Sequence, residues 1–260
     1  EIVYEIRVEG DFTRYLALYQ VTDPDVIGPV RSTRSPFITK IMEYNGILVH
    51  YGASYTGDED LITYGINNID GMAVGGSTIY RNHSVGKVAP HNAYSGMEEI
   101  RSYSKQVGYS EENEFKGFAF YEKPTAPGGE KVHDFTLYLR PGNTSAYEYQ
   151  EDKGFYHRYK DGSLQVDEND QEPLEVTNII VQYADYYGSD TGHVYINDEG
   201  EGEGVLFTQG QRVDITWKKE SKSSPTEFFD KEGNPLKLNV GQTFIQVVDF
   251  GIAIENDDQE

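Results

Sequence analysis

The second half of the chain consists of short segments of strand character, and this pattern limits the fold more than any other feature. β-branched and aromatic side chains recur there in short runs, which turn signals such as Asp161-Gly162 and Glu232-Gly233-Asn234 separate. Closely spaced strands joined by tight turns favour an antiparallel sheet. The predicted strands cover residues 132–140, 146–150, 154–160, 176–183, 193–197, 205–207, 212–218, 227–229 and 243–250.

The first half mixes strand and helix patterns. Residues 2–8 alternate with the period of a half-buried strand, and residues 13–21 predict a second, more fully buried strand. Short helices are expected at three places. They are residues 35–46 with Ser35 as the cap and Pro36 in the first turn, residues 59–68 capped by Asp58, and a helix after the S-x-x-E capping box of Ser95 and Glu98, with Met97, Ile100, Ser104 and Val107 on one face.

These patterns predict an α+β protein in two parts. The first, residues 1–120, is a mixed α/β domain with short helices packed on a sheet, and the second, residues 121–260, is an acidic, mainly antiparallel β domain. Residues 121–131 concentrate Pro, Gly and charge, which is typical of a domain boundary or a long loop.

The large negative net charge of the chain excludes two classes of ligand. The chain carries 44 acidic and 22 basic residues, a formal net charge of −22 at pH 7. Nucleic acid and anionic membrane surfaces need clustered Lys and Arg, and long-range repulsion at this net charge slows the encounter. We therefore expect neither as a ligand.

Cysteine is absent, which excludes disulfides, thiolate metal ligands and cysteine nucleophiles. No apolar run approaches the roughly 18 residues of a membrane span. The chain begins at Glu1 inside a predicted strand and without Met, so we expect a leader segment to precede it. We also expect a monomer that uses no cofactor.

Two arginines stand three residues apart in the stretch GPVRSTRSPF. Arg31, Ser32 and Arg34 directly precede a predicted helix start, where unpaired backbone N–H groups and the helix dipole favour an anion. Two guanidinium groups there can hold a carboxylate or phosphate with paired hydrogen bonds. Alternatively, the arginines pair with internal acids such as Glu5 or Glu9 and organise the fold.

A second polar cluster precedes the third predicted helix. The stretch IYRNHSVGKVAPHNAY contains Tyr80, Arg81, His91, Asn92 and Tyr94. His91 has the chemistry of a general acid or base, Arg81 and Asn92 that of donors to an oxyanion, and Tyr94 that of an orienting phenol. The alternative interpretation is a turn whose side chains satisfy loop carbonyls.

The other titratable groups suggest no metal site. His50 lies in an apolar strand, where an isolated His is most often a hydrogen-bonded core residue. A metal site built from His50, His83 and His91 would lack the H-x-H and H-E-x-x-H spacings. Three acidic runs miss the EF-hand spacing and are interpreted as solvated surface: residues 167–172, 197–204 and 255–260.

A series of segments along the chain has the pattern of a known family. They are YEIRVEGDFTRYLALYQ, IGPVRSTR, ILVHYGAS, IDGMAVGGSTIYR and APHNAYS, followed by TNIIVQYADYY, ITWKKES and PTEFFDKEGNPLKLNVGQTFIQVV in the C-terminal part. In this order and at similar intervals, these segments resemble the YerB-like lipoprotein family of Gram-positive bacteria. The resemblance covers nearly the whole chain. It implies an α+β fold in two parts and an extracytoplasmic protein, anchored through a lipidated N-terminal Cys that is not in this sequence. The family is of unknown function, and its polar motifs coincide with the candidate residues: Glu5, Glu9, Thr13, Arg14, Arg31, Ser32, Arg34, Tyr80, Arg81, His91, Asn92 and Tyr94.

Three functions remain as expectations. The first is a non-enzymatic binding or accessory protein of the cell envelope that holds an anionic group of a cell-wall polymer or an envelope protein. The second is a hydrolase of cell-wall or phosphodiester bonds, with His91 as acid or base beside Arg31, Arg34 and Arg81 in one cleft. The third is a purely structural partner, in which the arginines are bound by Glu5 or Glu9.

Overall fold

The computed structural model describes residues 1–110, 112–113, 115–188 and 192–256. It divides into two compact units. The first unit comprises residues 1–18, 117–221 and 226–260, and the second comprises residues 19–116 and 222–225. The units differ from a division at residue 120 in residues 1–18, whose strands pair within the first unit, and in the short segments 117–120 and 222–225.

The predicted mixed α+β fold is confirmed. Helices of the described residues are α1 (Ser35–Glu43), α2 (Tyr55–Tyr64) and α3 (Met97–Val107), and none of them is long and apolar enough to cross a membrane. The strands, in chain order, are β1 (Ile2–Arg7), β2 (Thr13–Leu18), β3 (Leu48–His50), β4 (Asn68–Asp70), β5 (Tyr80–Arg81), β6 (Ala93–Tyr94), β7 (Ala119–Phe120), β8 (Glu130–Lys131), β9 (Asp134–Arg140), β10 (Asn143–Gln150), β11 (Phe155–Lys160), β12 (Ser163–Leu164), β13 (Glu175–Val176), β14 (Asn178–Tyr183), β15 (Asp185–Gly188), β16 (Val194–Asn197), β17 (Gly200–Thr208), β18 (Gln211–Lys219), β19 (Glu227–Phe229), β20 (Lys237–Leu238), β21 (Thr243–Val248) and β22 (Ala253–Asn256).

An eight-stranded sheet forms the centre of the first unit. Its order is β19-β18-β17-β14-β21-β1-β2, and β8 pairs with β18 as well. β1 and β14 both run parallel to β21, whereas the remaining pairs are antiparallel. β21 is buried along its whole length and β14 along nearly all of it, and both are interior strands of the sheet. For that reason these strands appear in the sequence as continuous apolar runs.

A second, antiparallel sheet of the first unit has the order β12-β11-β10-β9-β22, with β13 paired to β11. The core lies between the two sheets and contains side chains from both. The rings of Phe135 on β9 and Phe207 on β17 stack with their centroids 3.7 Å apart. Burial of such large apolar side chains is the main favourable contribution to folding.

The second unit contains the three helices and two small strand pairs. β3 and β4 are parallel, and β5 and β6 are antiparallel. Its core comprises Ile69, Ile79, Ala93, Met97 and Ile100. Met97, Ile100 and Ser104 of α3 are buried as their spacing predicts, but Val107 is exposed.

The helix starts differ from the predicted caps. α2 begins at Tyr55 because Ser54, not Asp58, is its cap, and the Gly57 backbone N–H donates to the Ser54 hydroxyl over 3.1 Å. The cap of α3 is Gly96, because the Ser95 hydroxyl donates to the Thr78 carbonyl over 2.6 Å instead of closing a capping box. In both places the caps depend on loop geometry that the local pattern does not contain.

Two further expectations are wrong: the cap of α1, and the length and burial of β2. Ser35 is the first residue of α1, and the cap position is held by Arg34. β2 ends at Leu18, and Leu16 is its one buried residue. The strand is exposed because it is the last in its sheet and pairs with β1 alone among the named strands.

A buried ionic network links the two sheets of the first unit. The carboxylate of Glu5 on β1 is 1% exposed, and it accepts hydrogen bonds from Arg158, from Lys160 over 2.8 Å, from Thr13 over 2.5 Å and from Gln246 over 2.8 Å. Burial alone would raise the pKa of Glu5, but the charges of Arg158 and Lys160 and the hydrogen bonds lower it to about 2. Glu5 is therefore ionised throughout the physiological range.

Replacing Glu5 with Gln is expected to lower the free energy of unfolding by about 3–5 kcal/mol at neutral pH, because Arg158 would keep a buried charge without a counter-ion. Urea unfolding measures this change. The matched control is Glu175→Gln, which removes an exposed charge from the same unit and should change stability by less than about 0.5 kcal/mol.

The same comparison has a defined pH dependence. The folded-state pKa of Glu5 lies below its ordinary value of 4.5, so its contribution to stability is complete above pH 4.5 and is lost as the pH falls through about 2. The stability difference between wild type and Glu5→Gln should therefore shrink over that window. A difference that stays constant down to about pH 2 would contradict the assignment of Glu5 as the ionised centre.

Candidate functional site

Residues 27–33 of the second unit are bonded to other backbone segments on two sides. On one side Ile27 and Ser95 exchange backbone hydrogen bonds of 2.7 and 3.0 Å, and the Val30 N–H donates to the Ala93 carbonyl over 2.7 Å. The segment that carries Arg31 therefore runs beside the strand that follows His91 and Asn92.

On the other side the same segment pairs with the residues after β3. The Tyr51 N–H donates to the Arg31 carbonyl over 3.0 Å, and the Thr33 N–H donates to the Gly52 carbonyl over 3.0 Å. β5 completes the arrangement, because Arg81 lies opposite Ala93 in the β5–β6 pair. Backbone pairing thus brings together four segments that are distant in the sequence.

Arg31 is held by His91. Its Nη1 atom lies 2.8 Å from His91 Nδ1, at the surface of the unit. A guanidinium group can only donate hydrogen bonds, so Nδ1 accepts. The imidazole is then neutral with its proton on Nε2, and it offers one more N–H donor to the site.

Arg81 is held by two neutral groups. Its Nη1 donates to the side-chain carbonyl of Asn92 over 3.3 Å, and its guanidinium carbon lies 3.9 Å from the centre of the Tyr51 ring. A cation over an aromatic face is attracted by the ring quadrupole. Asn92 is 1% exposed, and its Nδ2 atom has no hydrogen-bond partner among the described residues.

Arg34 lies at the start of α1, where it occupies the cap position. Its Nη1 donates to the Thr33 carbonyl over 2.9 Å and to the Ser32 carbonyl over 3.3 Å. The Ser32 hydroxyl donates in turn to the Tyr51 carbonyl over 2.9 Å. Ser32 therefore joins the arginine segment to the Tyr51 segment rather than presenting its hydroxyl to a ligand.

Arg31, Arg34 and Arg81 form what we call the arginine cluster. Burial lowers the pKa of Arg31, and the positive charges of Arg34 and Arg81 lower it further. Within the described ranges no carboxylate lies within 4.0 Å of the Arg31 or Arg81 guanidinium. Asp70, the last residue of β4, accepts instead from the backbone N–H groups of Gly52 and Met72, over 2.7 and 2.9 Å.

The residues of the arginine cluster do not line the polar cavity found beside α3. A polar cavity of about 350 Å³ is lined by Thr78, Glu98, Glu99, Tyr103 and Gln106, among others, and none of its lining residues is an arginine. The Arg31–His91 contact is exposed. The cluster is therefore an open surface site, which a group carried on a large molecule can reach.

Tyr80 and Tyr94 support the cluster from the β5–β6 pair. Their ring centroids are 6.5 Å apart, and Tyr94 is buried. The Tyr94 ring packs directly on Gly28. These tyrosines thus position the backbone, and Tyr94 is too deeply buried to reach a ligand.

Three predicted site residues belong to the first unit. Arg14 lies on β2. Glu9 begins a short 3₁₀ turn after β1, and its carboxylate lies 3.3 Å from His193 Nδ1. Glu5 is bound by Arg158 and Lys160, so the interpretation of Glu5 as the internal counter-ion of Arg31 and Arg34 is wrong.

The metal candidates stay apart. His50 is buried, and its two ring nitrogens lie 2.9 Å from the Gly52 carbonyl and 3.1 Å from the Asn68 side-chain carbonyl. In the part of the chain that the structure describes, no three His, Asp or Glu side chains are grouped as metal ligands would be. Residues 257–260 of the acidic tail lie outside the described residues.

Tyr51 is the one contributor to the cluster that sequence reasoning missed. The only signal was an aromatic residue directly after β3, where many tyrosines of this chain are simply core residues. Its role depends on Arg81, which lies 30 positions further along the chain.

The fold and the cluster define a two-unit α+β protein with a cationic surface site in its smaller unit. Residues 1–110 match the N-terminal domain, and residues 135–245 the C-terminal domain, of the family described as protein of unknown function DUF3048. The chain belongs to this family.

One relative matches both in sequence and in structure. A curated protein of Bacillus subtilis (strain 168), named "Putative lipoprotein YerB", is 30% identical over 252 residues, which are 95% of this chain and 74% of that protein. The crystal structure of the YerB protein from Bacillus subtilis superimposes with a TM-score of 0.86 at 28% identity, and the match covers 98% of this chain and 86% of that one. The predicted resemblance to the YerB-like family is confirmed.

Substituting Ala for Gly28 is expected to destabilise the second unit by about 1–3 kcal/mol, because the new methyl group would overlap the buried Tyr94 ring. A Cβ atom at this position would overlap the Tyr94 ring and lie 2.9 Å from the Ala93 carbonyl oxygen. Thermal unfolding measures the effect. In the matched control Gly76→Ala, the Cβ atom meets nothing within 4 Å, so an equal loss in both variants would contradict this packing.

Proposed function

We propose that this protein is an extracytoplasmic, lipoprotein-type binding or accessory protein of the cell envelope, and that its arginine cluster binds an anionic group. The proposal rests on the kind of group that contacts the Arg31 and Arg81 side chains. Both are held by neutral groups, His91, Asn92 and the Tyr51 ring, and neither is ion-paired to a described carboxylate.

Arginines in an acidic chain are usually neutralised from within. This chain has twice as many acidic as basic residues, 44 against 22, so internal carboxylates are abundant. Arg158 is an example, because its charge is balanced by Glu5. Groups that orient a guanidinium without neutralising it leave the attraction for an arriving anion intact, and they reduce the entropy lost on binding.

The location in the envelope rests on the relatives. The Bacillus subtilis protein carries the name "Putative lipoprotein YerB", and this chain is 30% identical to it over 252 residues. An envelope protein meets anionic groups chiefly on cell-wall glycans, peptides and phosphopolymers. An open surface site suits a polymer, because such a site can take a group from a chain that extends beyond it.

The hydrogen bonding of the His91 ring favours binding over the hydrolase alternative. A general base needs an available lone pair on one ring nitrogen. Nδ1 of His91 accepts from Arg31 and Nε2 carries the proton, so neither nitrogen can take a proton while this contact persists. We therefore assign His91 the role of holding Arg31.

Calorimetry with soluble cell-wall fragments that carry carboxylate or phosphate groups tests the proposal. Arg31→Gln and Arg81→Gln should each weaken binding by at least about tenfold, because each removes charge-assisted hydrogen bonds. The matched control is Lys105→Gln, which removes one exposed positive charge from the same unit and should bind as wild type does. Unchanged affinity in both arginine variants, with their melting temperatures preserved, would contradict the proposal.

A further inference from the structure

A small cavity lies between the two sheets of the first unit. Its volume is about 20 Å³, which is room for one group of the size of a water molecule. It is lined by Glu5, Arg7, Leu139, Arg140, Gln246 and Val248, among others. The cavity therefore lies directly beside the buried ionic network of Glu5.

Gln246 on β21 provides an acceptor at this cavity. Its side chain is 0% exposed, and its Nε2 donates to Glu5 Oε2 over 2.8 Å and to the Tyr147 hydroxyl over 2.6 Å. Because ionised Glu5 can only accept, this contact determines the amide orientation and makes Oε1 an acceptor. Oε1 accepts no hydrogen bond from any described residue. A buried acceptor without a donor is destabilising, so a donor at this position would stabilise the fold.

Two arginines of the lining provide donors. The Nε atoms of Arg7 on β1 and of Arg140 at the end of β9 are buried and have no hydrogen-bond partner among the described residues. Asp249 Oδ2 lies 3.9 Å from Arg7 Nη2 and 3.6 Å from Arg140 Nη2, so it contacts the terminal nitrogens. Asp11 Oδ1 lies 3.5 Å from Arg140 Nε without hydrogen-bond geometry. The cavity thus combines donors with the acceptor of Gln246.

The charges of the lining residues favour a neutral ligand. Arg7 and Arg140 are positive, and the lining also contains the carboxylates of Glu5, Asp11 and Asp249. An anion in the cavity would meet these carboxylates and an acceptor oxygen, whereas a cation would meet two guanidinium groups. A hydroxyl group both donates and accepts, so it satisfies the two kinds of atom without adding charge.

We infer that this cavity is a binding site for a single neutral hydroxyl group, which accepts from the Nε of Arg7 or Arg140 and donates to Gln246 Oε1. The group is a water molecule or the alcohol group of a ligand that enters past Arg140 and Asp249, whose side chains are 30% and 31% exposed. Once bound, it connects the Glu5 network to the ion pairs of Asp249. The inference is independent of the arginine cluster, which belongs to the second unit.

Crystal structures of the full chain test the inference. Crystals grown without alcohols should show an ordered oxygen at about 2.7–3.2 Å from Gln246 Oε1 and from one arginine Nε. Crystals soaked in ethylene glycol distinguish the two sources, because either the water persists or a glycol hydroxyl takes its position. A third crystal is soaked in sodium bromide, and bromide is located by its anomalous scattering. Bromide in the cavity, or no ordered atom there in any crystal, would overturn the inference.

The variant Val248→Ile tests the same site in solution. Val248 is buried and lines the cavity, so the added methyl group should take the place of the hydroxyl group. Gln246 Oε1 and the arginine N–H groups would then lack partners, and the melting temperature should fall by about 2–4 °C. The matched control is Val240→Ile, which adds the same methyl group to a side chain that is 76% exposed and should melt as wild type does. An unchanged or higher melting temperature, with the methyl group located in the cavity by crystallography, would contradict the inference, since filling a dry cavity stabilises a protein.

Discussion

The arrangement of the candidate site depends on the pairing of residues 27–33 with backbone on both sides. Val30 bonds to Ala93 on one side, and Thr33 bonds to Gly52 on the other. These bonds bring Arg31 into contact with His91, which lies 60 positions away in the chain. The tight packing of Gly28 against Tyr94 belongs to the same constraint, since it allows the two backbones to approach.

Arg158 of the first unit and the arginines Arg31 and Arg81 of the second unit are held by different kinds of group. In the first unit Glu5 balances Arg158 and Lys160 within a buried network, and the basic residues serve the fold. In the second unit Arg31 and Arg81 are oriented by an imidazole, an amide and a phenol ring, none of which neutralises them. A structural arginine gains from a buried counter-ion, whereas a binding arginine is more useful when oriented and not neutralised.

Much of the fold was predictable from local patterns. The strands of the second half, the α3 helix and the mixed α+β class follow from periodicity, because each depends on residues that are close in the sequence. The helix caps were wrong where a loop from elsewhere decided them, as with Ser95, whose hydroxyl bonds to Thr78. The parallel pairing of β1 with β21 joins residues some 240 positions apart, and no local pattern contains that information.

The residues of the candidate site could be predicted from the sequence, but the groups that each of them contacts could not. Arg31, Arg34, Arg81, His91 and Asn92 stood out because arginine is rare in this chain and these residues precede helices. The choice between Glu5 and a ligand as the counter-ion depended on tertiary contacts, and the role of Tyr51 depended on the position of Arg81.

A crystal structure of the protein grown with tungstate, a doubly charged tetrahedral oxyanion that is located by its anomalous scattering, would test anion binding by the arginine cluster. We expect tungstate within hydrogen-bond distance of both the Arg31 and Arg81 guanidinium groups, with His91 still bound to Arg31. Tungstate bound only at other positions, with Arg31 and Arg81 paired to carboxylates of the protein, would contradict it.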